Sequence, residues 1–172
     1  MLFQTENHTA QRLHLEQDAA ALQALLEACA DFNLLIEGEP PGPDAAQVLF
    51  SETPPGRSAD DKYVIGLYDG ARSLFGVVDV VRDYPAGGEW FIGLLLIHPA
   101  QRGQGTGAEI VRALEAWAIR SGARCLELGV VEANTPGGRF WEQVGFVQVR
   151  TSEMRQFGQK EHRVIYMQRD LE

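Results

Sequence analysis

The sequence predicts one mixed-sheet α/β domain over residues 1–172. Three observations predict it. Two β-branched runs, Lys62 to Tyr68 and Leu74 to Val81, flank Asp69-Gly70, a hairpin signal. An almost wholly apolar run, Glu89 to Ile97, reads as a central strand and precedes a helix-period segment. From there the order is strand, helix, strand, helix, strand, strand, which suits helices laid on a mixed sheet. The 172 residues, 45% of them hydrophobic, can bury a full core. Disorder, a collagen repeat and a disulfide-stapled mini-protein are excluded on the same composition.

Taken in order, Arg12 to Leu15 reads as a short strand. Asp18 is a candidate N-cap for a helix from Ala19 to Phe32, with Leu22, Leu25, Leu26 and Cys29 on one face. Residues 38–61 are the least regular part, rich in Pro and Gly around a short amphipathic segment from Asp44 to Phe50, and suit a lid, a binding loop or a plain connection. After the hairpin, Tyr84 to Gly88 forms a loop before the central strand. A helix from Gly105 to Arg120 carries Ile110, Val111, Leu114 and Trp117 at helical spacing and stops at Ser121-Gly122. Cys125 to Val131 is a strand, and Pro136 to Val144 a helix with proline in its first turn and Gly145 at its stop. Phe146 to Thr151 and Arg163 to Met167 are the last strands, and Leu171-Glu172 fit a tag remnant.

Formal net charge is −9, from 24 acidic and 15 basic residues. The arginines are scattered, so nucleic acid is not an expected partner. The negative balance serves solubility first and mildly favours a cationic substrate such as an amine. No apolar run approaches the ~20 residues of a membrane span, and Met1 to Ala10 lacks the apolar stretch of a signal peptide. Cys29 and Cys125 are expected to be buried and reduced, as in a cytoplasmic protein.

The most informative segment is Arg102-Gly103-Gln104-Gly105-Thr106-Gly107, after an apolar strand and at the opening of a helix. Glycines permit positive φ and close backbone approach. Free N–H groups at a helix start suit an anion such as pyrophosphate, and Arg102 adds a forked cationic donor. A nucleoside-triphosphate loop needs Gly-Lys-Ser/Thr, and there is no lysine between Lys62 and Lys160. The dinucleotide pattern is matched by Gly103, Gly105 and Ala108, with Glu127 near the acidic position. But His98 to Gln101 separate this motif from its strand, and too little chain follows for a doubly wound domain.

A second constellation follows Cys125 to Val131: Asn134, then Gly137, Trp141, Gly145 and Phe146 at offsets of three, seven, eleven and twelve. Here the sequence resembles the GNAT superfamily of acyl-CoA-dependent N-acyltransferases. The family's strand, R/Q-x-x-G-x-G/A loop and helix are matched by Leu95 to Gly107. Its N-x-x-A-x-x-x-Y-x-x-x-G-F segment is matched by Asn134 to Phe146, with Gly137 for Ala and Trp141 for Tyr. The resemblance covers residues 62–151 well and the first 60 residues only in element order. It implies a GNAT fold with a central, mostly antiparallel mixed sheet flanked by helices. It also implies an N-acetyltransferase that uses acetyl-CoA as co-substrate, without a metal, on a small-molecule amine, in a ternary complex. Dimers are common in the family, so a homodimer is among the expected states.

Residue by residue, the resemblance implies that Leu95 and Ile97 pair with the pantetheine arm. The Leu95 N–H would sit at the thioester oxygen. The amides of Arg102, Gly103, Gln104, Gly105, Thr106 and Gly107 would hold the pyrophosphate, and Asn134 would meet the pantetheine or fix the splayed strand end. An alkylamine of pKa ~10.4 costs about 4–5 kcal/mol to deprotonate at pH 7, so a carboxylate is expected nearby. Glu89, on the central strand, and Asp79, a charge within Val77-Val78-Asp79-Val80-Val81, are the candidates. Trp141 stands where many members carry a Tyr that protonates the leaving thiolate, and an indole is no such acid. Tyr84 or water is its candidate replacement. Members that act on protein N-termini often place a glutamate at the position of Gly129, which argues against that substrate class. The rival reading is a non-catalytic acyl-CoA-binding or regulatory module, and a third is a dinucleotide-dependent oxidoreductase.

Overall fold

The β-branched and apolar runs become strands, and the helix-period segments lie across them. The computed structural model describes all residues 1–172. Strands β1 (Phe3–Gln4) and β2 (Thr9–Arg12) precede helices α1 (Leu15–Ala28), α2 (Ala30–Glu37) and α3 (Ala45–Ser51). Strands β3 (Lys62–Tyr68), β4 (Leu74–Val81) and β5 (Glu89–Ile97) lead to α4 (Thr106–Arg120). Then come β6 (Cys125–Val131), α5 (Thr135–Gln143), β7 (Val147–Thr151), β8 (Arg155–Phe157), β9 (Lys160–His162) and β10 (Val164–Asp170). One sheet of eight strands runs β1-β2-β3-β4-β5-β6-β10-β7, and β8 and β9 form a separate hairpin. Every neighbouring pair is antiparallel except β5 and β6, which are parallel. That is the mostly antiparallel mixed sheet expected, and not the parallel sheet a dinucleotide fold requires.

The sheet has a core on each face. On one side Trp90, Ile110, Leu114, Trp117, Leu126 and Phe146 join the sheet to α4 and the segment after α5. Trp90 and Trp117 meet edge to face at 5.2 Å. On the other side Leu22, Leu25 and Leu26 of α1 pack on Val64, Val77 and Leu96. Each such fully buried aliphatic side chain contributes about 1.5–3 kcal/mol against exposure.

Three sequence readings change in the structure. The early strand is Thr9–Arg12, and Leu15 already begins α1. Asp18 is not the N-cap. His14 is, and the Asp18 carboxylate reaches back to accept from the His14 N–H at 2.7 Å. The single helix expected through Phe32 is two helices bent by 65° at Cys29. The bend lets one apolar stripe serve two parts of the sheet: α1 covers Val64 and Val77, whereas Ile36 of α2 covers Val131 and Val164. The β8–β9 hairpin was not expected, since polar three-residue strands carry little periodicity. No single helix is long and apolar enough to cross a membrane.

Candidate active site

The site begins where the parallel pair parts. The β5–β6 register runs from Glu89 opposite Cys125 to Ile92 opposite Leu128, and goes no further. Beyond it Gly93–Ile97 and Gly129–Val131 diverge. The His98 N–H donates to Phe75 O of β4 at 2.7 Å. Alternation along the strand then turns the N–H groups of Leu95 and Ile97 away from β4, into the gap. The Ile97 carbonyl is already occupied, accepting from Arg102 Nε at 2.7 Å and from the Cys29 thiol at 3.6 Å. A cavity of about 1030 Å³ fills the gap. Its wall includes Leu95 and Ile97 from β5, Gly129 from β6, Gly105 and Gly107 from the glycine loop, and Asn134.

The loop forms an anion cradle. Gly103 and Gly105 sit at φ +75° and +80°, in the left-handed region that a side chain resists. From Gly103 to Ala108, six successive backbone N–H groups have no acceptor within the protein. Three of them belong to the first turn of α4, whose dipole presents its positive end there. Gly107 lets α4 approach α5 closely, since a Cβ there would lie 3.0 Å from the Phe140 ring.

Arg102 departs from its expected role. Its guanidinium holds Asp31 of α2 with both nitrogens, at 2.6 and 3.2 Å, and its backbone N–H donates to Pro99 O at 3.3 Å. That pair lowers the Asp31 carboxyl below its usual range. Arg102 therefore ties α2 to β5, and neither its amide nor its forked head is free for an anion. The Gln104 side chain turns back to Ala100 O at 3.3 Å, and Thr106 is buried, so both face the cradle through their amides. Asn134 caps α5, its Oδ1 accepting from the Gly137 N–H at 3.1 Å.

The expected carboxylates differ in place. Glu89 stands at the start of β5, opposite Cys125, four residues or about 13 Å from Gly93, and outside the cavity wall. Asp79 is buried beside the gap. Its Oδ2 meets Lys62 Nζ at 3.2 Å, and its Oδ1 has no partner. The β4–β5 register slips between Asp79 and Val80, leaving Gly93 bulged. A Cβ on Gly93 would lie 2.7 Å from Asp79 Oδ2, and Gly93 itself lines the cavity. Burial pushes the Asp79 carboxyl up to about 6, against the pull of Lys62. Tyr84 is outside the wall, with its ring edge-on to Phe91 at 6.0 Å. Trp141 lines the cavity and is wedged edge-to-face between Phe140 and Phe146.

Beyond Gly129 the wall continues with residues the sequence did not single out. The Tyr166 ring lies over Gly129, 3.5 Å from where its Cβ would be. The Tyr166 hydroxyl accepts from Arg155 Nη1 at 3.1 Å. Arg150 stacks on the same ring at 3.9 Å and binds the buried Glu127 at 2.7 Å. Glu127 is thus an anchor for Arg150 and not a ribose ligand. No local motif marks these side chains, because three separate strands bring them together.

The comparisons with known proteins fit this geometry. The model of the acetyltransferase (GNAT) family matches residues 20–146. Among solved structures, the chain is similar to an acetyltransferase from Thermus thermophilus, with a TM-score of 0.77, 21% identity, and coverage of 95% of this chain and 97% of that one. It is similar to an acetyltransferase (GNAT family) from Bacillus anthracis, with a TM-score of 0.72, 14% identity, and coverage of 98% and 97%. It is also similar to spermidine N-acetyltransferase from Vibrio cholerae in complex with CoA and spermine, with a TM-score of 0.71, 14% identity, and 96% coverage of both chains. At these identities the likeness concerns the fold. No curated protein matches the sequence.

Proposed function

As the chain belongs to the acetyltransferase (GNAT) family, we propose that it transfers the acetyl group of acetyl-CoA to a primary amine of a small molecule, by direct attack in a ternary complex. The observation that carries this reading is the run of six unpartnered amides at the mouth of a cavity bounded by a splayed strand. Acetyl-CoA would supply the activated acetyl thioester. The cradle from Gly103 to Ala108 would bind its pyrophosphate, and the inward N–H groups of Leu95 and Ile97 would align its arm. The Leu95 N–H would donate to the carbonyl oxygen as negative charge develops there.

In the transfer, the amine lone pair forms the new C–N bond and the C–S bond breaks. The proton lost from nitrogen passes to Asp79 through water, and a proton returns to sulfur. Asp79 suits this role because its Oδ2 lies directly behind Gly93 of the cavity wall, its Oδ1 has no partner, and its pKa of about 6 leaves it ionised at neutral pH. Glu89 is too far along β5 to share the role. A covalent acetyl-cysteine route is disfavoured: burial raises both thiols above their ordinary pKa, so neither is a ready thiolate. Two free, buried cysteines also suit a reducing compartment, and we place the protein in the cytoplasm.

Trp141 favours a second reading, a module that binds acyl-CoA without turning it over, since no hydroxyl stands at that position. General-acid help is typically worth ~10²–10⁴-fold, whereas positioning can supply ~7–11 kcal/mol, so its absence slows catalysis without abolishing it. Calorimetry with CoA and thiol release from acetyl-CoA with a panel of amines test both. Binding with amine-dependent thiol release supports the enzyme, binding without release on any amine supports the module, and no binding removes both.

A further inference from the structure

We propose that the acetyl acceptor is an amine bearing a carboxylate or phosphonate, and that Arg155 reads this anion. The inference rests on the reading that the cavity holds acetyl-CoA and an amine together. Although the whole chain carries −9, the charged side chains of the cavity wall are two arginines against one aspartate. Arg102 and Asp31 neutralise each other. That leaves Arg155. None of the protein's ion pairs includes it. Its contacts are the Tyr166 hydroxyl at 3.1 Å and the face of Phe157 at 5.5 Å. A guanidinium with free donors in a mostly apolar wall suits a planar or tetrahedral oxyanion.

Arg155 is exposed, and the hairpin that carries it is held in place. Arg155 lies on β8, and the β8–β9 hairpin is tied to the C-terminal end of α2. The Gln159 N–H donates to Glu37 O at 2.8 Å, Lys160 Nζ to Leu35 O at 3.2 Å, and His162 Nε2 meets Ile36 O at 2.8 Å. Arg150 cannot substitute, because Glu127 engages it. The Tyr166 ring that Arg155 touches packs over Gly129 of β6, where the parallel pair parts, and all three residues line the same cavity. A polyamine finds no counter-charge here. The one carboxylate of the wall is bound to Arg102, and Arg155 would repel a second ammonium.

The test uses the full chain saturated with CoA and equilibrium calorimetry with ω-amino carboxylates of graded length, their carboxamides, the matching aminophosphonates and diamines. The carboxylate or the phosphonate should bind about 10- to 100-fold tighter than the neutral carboxamide, as for a hydrogen bond to a charged group. Whichever series binds tighter identifies the anion. Arg155→Met should abolish the preference, Arg155→Lys should keep part of it, and neither should alter the affinity for CoA. Equal binding of carboxylate and carboxamide, a preference for diamines, or no amine bound at all would overturn the proposal. So would an Arg155→Met variant whose CoA affinity falls while its acceptor preference stays, since the guanidinium would then serve the nucleotide. Failure of CoA itself to bind is a different result, because it removes the acetyl-transfer reading on which this one rests.

Discussion

Asp79 concentrates the chemistry of a single side chain. It is the one charge inside an apolar run, and the sequence marks it for that reason alone. Its meaning comes from Lys62 across the hairpin and from the bulge at Gly93. A carboxyl raised from 3.8 to about 6 binds its proton more tightly folded than unfolded. The fold therefore gains relative stability from this group as pH falls from about 6 to about 4, and above that window the buried charge costs on the order of 3 kcal/mol. The unfolding free energy of the native chain minus that of Asp79→Asn should rise by up to ~3 kcal/mol between about pH 7 and pH 4 in urea titrations. A difference that stays flat would show that Asp79 titrates normally. In turnover, an inflection near 6 should vanish in Asp79→Asn. Gly93→Ala places a methyl 2.7 Å from Asp79 Oδ2. It should lower kcat by about 10- to 100-fold through displacement of the carboxylate while leaving CoA affinity nearly unchanged. Loss of CoA binding in that variant would instead assign Gly93 to the cofactor path.

Among the elements, α4 and α5 were legible because each announces itself by period and punctuation: apolar spacing, a glycine or proline at the start, a glycine at the stop. The bend at Cys29 was not legible, since the apolar spacing of α1 runs on into α2 without a glycine or proline to interrupt it. Only the position of the sheet beneath decides where the helix must turn. Asn134 illustrates an element-level role hidden inside a motif. The resemblance implies that it meets the pantetheine or fixes the splayed strand end, and in the structure it lines the cavity and is also the N-cap of α5, with Gly137 so close that a Cβ there would lie 2.5 Å from the Asn134 amide nitrogen. Asn134→Ala should cost about 1 kcal/mol of stability, as for other lost caps, whereas Asn134→Asp should retain most of it. Thermal melts of the two variants check this. Equal melting temperatures for both would show that the cap is energetically idle.

The molecule as a whole is a sheet prised open on one side of β5 and held open by elements far apart in sequence. The Arg102–Asp31 bridge joins the loop after β5 to α2, and the hairpin at 155–162 leans on the end of α2. A ligand that fills the opening binds the folded state only, so it must raise the melting temperature. CoA at about 100 times its Kd should add ~2.7 kcal/mol, or roughly 5–10 °C for a chain of this size. NAD at the same concentration should add nothing, because the antiparallel sheet offers no dinucleotide crevice. Protection by NAD but not by CoA in differential scanning calorimetry would reverse the assignment.

Sequence alone determined what local rules control: the order of strands and helices from β3 to β7, the glycine loop that frees amides at a helix start, and the second motif that marks the family. Those features depend on residues within a dozen positions of one another. Tertiary structure decided the rest. It turned Arg102 away from the loop and toward Asp31, separated Asp79 from Glu89 as candidates, and gathered Tyr166 and Arg155 in the cavity wall with Arg150 stacked on the Tyr166 ring. The physical reason is that the pairings which place these groups reach across the chain, 23 residues from Arg150 to Glu127 and 71 from Arg102 to Asp31, and no local pattern in the chain carries their positions.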